Sequence, residues 1–421
     1  MPRKSVLTPS QKVSLLSFPT SKIEFERYYT LSENDLFIIH QKREIHNRLG
    51  FALMLCCIRY PGISYDVDTV IEDNMMEFVK KQLSIQTEID MQLYFKRETT
   101  RREQLAEIQN LYGYRSLNAK MHASYVELLL PTAKATDNGA IVANKLIELL
   151  RHEMIIVPNI SVIERLCSEA ITIATKWVYE TLLEQCSKMQ LDKLQKLFTS
   201  KPNTNISYLG WLQMRNFVAN PKFILEHIQR LRFIKELDLP KNIEFSIHSN
   251  RLIKLAKEGK NLSSFDIARF ETKRKNATII AIVVDIKGSI IDDIIELNDK
   301  ILSIIFNKAK NSHKNEFQDS SKTINEKLGL YYKIGQALIK AKQTNQNPYE
   351  AIEEFISWEE IEKSLVETKS LSKSENFDFL YRLSLYNGWF KNYIHHFYET
   401  IDLKASPNTQ NILEAIKILQ T

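Results

Sequence analysis

Apolar residues recur along most of this chain at steps of three and four, the spacing of one helix face. Leu49, Leu53, Cys56 and Tyr60 are the clearest set, and they predict an apolar helix ending at Pro61-Gly62. Before it, Ser32 and Asp35 have the spacing at which each side chain caps the other's backbone N–H, so a short helix should start there. A polar turn carrying Lys42 and Arg43 joins the two. The next helix is expected over about residues 70–83. Thr100 and Glu103 repeat the capping spacing and predict a helix start. That helix should run to Tyr112, with Leu105, Ile108 and Tyr112 facing inward and Gly113 ending it.

Farther on, the same reasoning predicts helices over residues 140–153, 191–198, 221–237 and 252–257. A long one, capped by Ser161 with Glu164, should reach residue 187, and another should span 276–311. Pro131-Thr132 and Asp137-Asn138-Gly139 break the pattern. Residues 312–322 are polar and read as a loop, with turns expected near 345–348, 370–374 and 406–407. No segment alternates like a strand. The fold class is therefore all-α, with several small helical domains in series and helix-turn-helix-like modules at the N-terminal end.

Composition supports this. Among 421 residues there are only 10 Gly and 11 Pro, which favours helix throughout, and the length suits two to four domains. A net charge of +6 permits a nucleic-acid partner without demanding one. The charge is uneven: residues 251–275 are strongly basic and 350–362 acidic. Cys56, Cys57, Cys167 and Cys186 form no C-x-x-C pair, so a zinc site has no support; Cys56-Cys57 reads as core filling, and a reducing compartment is expected. The chain opens without an apolar leader, and its longest apolar run, 277–284, is too short for a bilayer. A cytoplasmic protein with no membrane partner is expected.

The candidate chemistry is cationic. Arg101, Arg102 and Gln104 cluster in the first turn of the helix predicted within the segment 97–115, where recognition helices contact bases. Arg can pair with guanine and Gln with adenine, while Arg97 and Arg115 flank the helix and suit phosphates. A solvated charged face laced by pairs such as Arg101 with Glu98 is the competing reading. Arg48 and Arg59 lie eleven residues apart, on nearly the same side of one helix and roughly 16 Å from each other. They suit either a phosphate backbone or the two ends of a buried helix. Lys42 and Arg43 suit phosphates. Lys273, Arg274 and Lys275 form a third cluster, either a backbone-contacting surface or a solvated connection.

Catalytic signatures fail. Asp285, Asp292, Asp293 and Glu296 spread over three turns of one helix and read as a solvated face. His395 and His396 point about 100° apart. No phosphate loop or hydrolase motif occurs. Trp177, Trp211, Trp358 and Trp389 are expected in cores.

Several segments are similar to the N-terminal portion of transposases of the Tn-three (class II) replicative transposon family. They are RYYTLSENDL from Arg27, NRLGFALMLCCIRYPG from Asn47 and TRREQLAEIQNLYGYR ending at Arg115. VPNISVIERL from Val157, RLIKLAKEG from Arg251 and ARFETKRKNATIIAIV from Ala268 follow in the family's order. The resemblance implies helical modules that recognise double-stranded terminal inverted repeats. It also implies a C-terminal RNase H-like domain using three carboxylates and divalent metal. The chain stops at Thr421, before such a domain. It is expected to hold no catalytic residue, metal site or cofactor of its own and to bind DNA without breaking it. Its arrangement would be two DNA-binding modules, 1–66 and 67–130, a helical middle domain, 131–262, and a dimerisation or scaffold region, 263–421. A second copy or a separate catalytic chain would be further partners, in a bacterial protein associated with the nucleoid when DNA-bound. The alternatives are a stand-alone repressor occupying transposon ends and a helical scaffold protein.

Overall fold

The computed structural model describes residues 5–371 and 379–420. Among these residues the protein is all-α apart from two short strands. The first helices are α1 (Pro9–Leu15), α2 (Lys22–Tyr29), α3 (Glu33–His40), α4 (Ile45–Arg59), α5 (Asp73–Gln82), α6 (Gln92–Phe95) and α7 (Glu98–Tyr112). Strand β1 (Arg115–Ser116) precedes α8 (His122–Ala135) and α9 (Gly139–His152). Strand β2 (Ile155–Ile156), α10 (Ile160–Glu184) and α11 (Lys188–Gln195) follow, then α12 (Tyr208–Gln213) and α13 (Pro221–Glu236). Next come α14 (Ser249–Lys260), α15 (Ser264–Ala268) and the 73-residue α16 (Thr272–Thr344). The last are α17 (Pro348–Glu353), α18 (Trp358–Leu371), α19 (Phe379–Tyr386), α20 (Gly388–Lys391), α21 (Ile394–Thr400) and α22 (Gln410–Gln420).

Two compact units emerge, each drawn from separated stretches: 1–198 with 239–282, and 199–238 with 283–421. The first unit has two apolar clusters. One gathers α2 to α7 around α4, whose residues 49–58 are all buried. Gly50 makes room there: a Cβ at this position would lie 2.3 Å from the Tyr94 ring. The other cluster packs α8, α9 and α10 together, with Leu7 added from the N-terminal segment. The parallel pair β1–β2 and a bond from Val157 N–H to the Gly62 carbonyl (2.8 Å) tie the two clusters. Arg151 adds a third link, its Nε donating to the Pro61 carbonyl at 2.8 Å.

The second unit contains α12, α13 and α17 to α22 with the remainder of α16. Its buried Asp293 accepts from Arg215 Nε at 2.9 Å, a counter-charge delivered by the segment between α12 and α13. That corrects the solvated reading of Asp293. Arg230 Nη1 donates to the Met214 carbonyl at 2.5 Å and fixes the same segment.

Other expectations need correction. Residues 312–322 belong to α16, because polarity alone does not stop a helix and no Gly or Pro interrupts them. Pro131 lies inside α8 rather than at a break. The helix expected from Thr100 starts at Glu98, with Arg97 at its N-cap and no side-chain cap bond. Asn159, not Ser161, caps α10 by accepting from Val162 N–H. Trp358 and Trp389 are exposed rather than in cores. The turn expected at 370–374 falls largely outside the described residues. Among the described residues, no helix is long and apolar enough to cross a membrane.

Candidate nucleic-acid interface

Most of the candidate cations lie on or beside three helices of the first unit, α3, α4 and α7, and one carboxylate locks these helices together. Ser32 and Asp35 form the expected capping box at the start of α3. Asp35 is only 1% exposed, and it does more than cap. It accepts from Ser32 N–H at 2.7 Å, from Arg59 Nη2 at 2.7 Å and from Tyr112 O–H at 2.5 Å. Burial works against its ionisation. The hydrogen bonds from Tyr112, the Ser32 backbone and Arg59 outweigh it and hold the carboxyl below its usual range. Tyr112, half-buried and donating to a carboxylate, is pushed well above the usual phenol range.

At the other end of α3, Lys42 Nζ meets Glu107 at 2.5 Å and sits over the Phe51 ring. Arg48 Nε reaches back to the Lys42 carbonyl at 2.7 Å. These contacts show α3 running antiparallel to α4 and α7. The helix pair and basic turn read from the sequence are present. However, α4 is enclosed over residues 49–58, so that stretch cannot enter a groove of a duplex; it is the core on which α7 is mounted.

Helix α7 shows which side of it is free. Ile108 is buried, and Leu105 and Tyr112 pack against the core, as their spacing predicted. Gly113 ends the helix at φ 78°, the left-handed conformation glycine tolerates. Gln104 is 4% exposed and accepts from Tyr94 O–H at 3.0 Å, while its Nε2 donates to the Asn47 carbonyl at 3.4 Å. Arg101 has an 18% exposed side chain that binds Asp66 at 2.7 Å beside the Phe95 ring. Its guanidinium helps hold Asp66 below the usual carboxylate range, after the Val67 backbone N–H and against burial. Arg102 points outward, 76% exposed, and pairs with Glu98 at 2.5 Å.

The remaining cations divide similarly. Arg43 and Arg97 are exposed and make no ion pair among the described residues. Arg115 is exposed and donates from Nη2 to the Glu153 carbonyl at 3.3 Å. At the start of α16, Lys273 pairs with Glu180 at 2.8 Å, Arg274 lies 3.9 Å from the Phe270 ring centroid, and Lys275 lies over Phe198. The structure thus brings Lys42, Arg48 and Gln104 together around the joint of α4 and α7. It places Arg59 at Asp35 and leaves Arg43, Arg97 and Arg102 facing solvent. The sequence reading missed the outward residues Thr99, Ala106 and Asn110, although they lie opposite the predicted apolar face.

Among the described residues, no three His, Cys, Asp or Glu side chains come together as a metal site would require. Burial raises the thiols of Cys56 and Cys167 to about 12, and also raises Cys57, so none is an activated nucleophile.

The fold is all-α and multi-helix, and its candidate cations are divided between solvent-facing and ion-paired positions. Comparison with known proteins is more specific. Residues 6–170 match the family described as "Domain of unknown function (DUF4158)". Over its whole length the chain is similar to transposases. It is 37% identical over 420 residues to the transposase for transposon Tn3926 of Escherichia coli. It is 38% identical to that for Tn21 of the same species, and 37% identical over 421 residues to that for Tn501 of Pseudomonas aeruginosa. In each case 100% of this chain aligns with 42% of the relative, so the chain spans about two-fifths of the length of the curated relatives it matches. The likeness to transposases read from the motifs is borne out.

Proposed function

We propose that this chain binds the double-stranded terminal inverted repeats of a transposon, as the N-terminal part of a transposase, and does not itself cut or join strands. The observation that carries the reading is the end-to-end similarity to transposases. Exposed Arg43, Arg97, Arg102, Arg115, Lys273 and Arg274 are the groups we assign to DNA, chiefly to phosphates. Lys42, Arg48, Arg59 and Gln104 are assigned to holding α3, α4 and α7 in position, because they are partly or fully buried and bonded across these elements. Lys275, over an aromatic ring, and Arg101, held by Asp66, are assigned no direct DNA contact. Strand cleavage, with its carboxylates and divalent metal, is assigned to a catalytic domain in the same or a separate polypeptide.

Fluorescence anisotropy with a labelled terminal-repeat duplex tests the proposal against a scrambled duplex. Tighter binding to the repeat, with no nicking when magnesium is added, is the expected result. Equal affinity for both duplexes would contradict sequence-specific binding, and nicking would contradict the division of labour.

A further inference from the structure

We infer that the outward face of α7 reads bases in the major groove through Arg102, Ala106 and Asn110, and not through Arg101 and Gln104. This rests on the DNA-binding reading above and adds which side chains choose the sequence. Thr99, Arg102, Glu103, Ala106 and Asn110 are the exposed positions along one side of the helix. The opposite side is fixed by Ile108 in the core, by Gln104 on Tyr94 and Asn47, and by Tyr112 on Asp35. Lys42 binding Glu107 locks its middle, so the helix is held in one rotation about its axis. A rigid, solvent-facing helix loses little conformational freedom on entering a groove.

The chemistry of the face suits reading rather than gripping. A surface that only held phosphates would be uniformly cationic. This one offers a guanidinium, a carboxylate, a methyl, an amide and a hydroxyl in a row, with Arg102 already balanced by Glu98. Those are the groups that distinguish base edges: Arg for guanine, Asn for adenine, an alanine methyl for thymine. Cations suited to phosphates are Arg97, at the N-terminal end of the helix, and Arg43, which follows the Lys42 bound to Glu107. From residue 102 to residue 110 the helix rises about 12 Å. At about 3.4 Å per base pair that covers roughly four pairs. The specified segment should therefore be short, with the Arg102-dependent guanine at one end and the Asn110-dependent adenine at the other.

The test is selection from a pool of randomised duplexes by the full chain, with sequencing of the bound fraction. Arg102→Ala, Ala106→Gly and Asn110→Ala are run alongside, with circular dichroism as the check on folding. Each variant should keep its helical signal and lose preference at one position, by about ten- to hundredfold for Arg102 and Asn110. Arg102→Lys should retain part of the guanine preference. Variants that select the same motif as the parent chain, with undiminished preference, would overturn the inference and leave DNA binding standing. Binding of the pool by the parent without any selected motif would also overturn it. Failure of the parent to bind any duplex would sink the DNA-binding reading as well.

Discussion

Asp35 is the residue on which the candidate surface depends most. It caps α3 and holds Arg59 and Tyr112. Asp35→Asn leaves the Arg59 guanidinium without its counter-charge, which should cost about 3 kcal/mol. Tyr112→Phe removes one hydrogen bond to a charged acceptor and should cost about 1.5–3 kcal/mol. Because the folded carboxyl is held below its unfolded value, its contribution is complete above the unfolded pKa of about 3.9 and is lost as pH falls through the folded value. Urea unfolding at several pH values should show a constant gap between parent and Asp35→Asn from mildly acidic to neutral pH, closing only in strong acid. A gap that closes near neutrality would contradict this account. The capping role of Asp35 was legible from its spacing to Ser32. Its bonds to residues 24 and 77 positions away were not, since they exist only after three helices pack. For the same reason Gln104, polar and shortly after two arginines, read as a surface residue but is buried.

At the scale of elements, close approach explains what periodicity could not. Gly50 lets Tyr94 lie against α4, and Gly259 lets α14 lie against Thr278 and Ile282 of α16, where a Cβ would meet carbons at 2.6 and 2.7 Å. Gly50→Ala and Gly259→Ala should each destabilise by about 1–3 kcal/mol through overpacking, despite the higher helix propensity of alanine. Thermal unfolding of the two variants checks this, and a gain in stability would refute the packing. Most helices were legible because their apolar spacing is regular. Their starts were less so: Thr100 with Glu103 and Ser161 with Glu164 have capping spacing, yet the chain uses Arg97 and Asn159. The polar stretch within α16 reads as a loop only if polarity is taken for a helix breaker. It contains helix-compatible Lys, Asn, Glu and Gln. Buried α4 shows the other limit: its apolar spacing predicted a helix but could not say that every side would be covered.

At the scale of the whole molecule, the two units draw on separated stretches of chain, which no local pattern announces. Likeness to transposases was legible because long motifs recur in order. The side of α7 proposed to face DNA is the reverse of its apolar face, and the sequence reading did not single it out. Substitution around it should separate binding from stability: Arg43→Ala with Arg97→Ala should shift unfolding by less than about 0.5 kcal/mol per residue, as exposed surface changes do. The pair should also flatten the dependence of log affinity on log salt by about 1.8, because two phosphates are no longer neutralised by the protein. An unchanged salt slope would remove both arginines from the DNA-facing set. The most direct test of the central claim is hydroxyl-radical footprinting of the full chain on a duplex in which a terminal inverted repeat adjoins unrelated flanking sequence. The account predicts protection confined to the repeat, recurring on one face of the duplex, and lost first from the short segment assigned to α7 when Arg102 and Asn110 are replaced. Uniform protection across repeat and flank, or none at concentrations that saturate anisotropy, would contradict it.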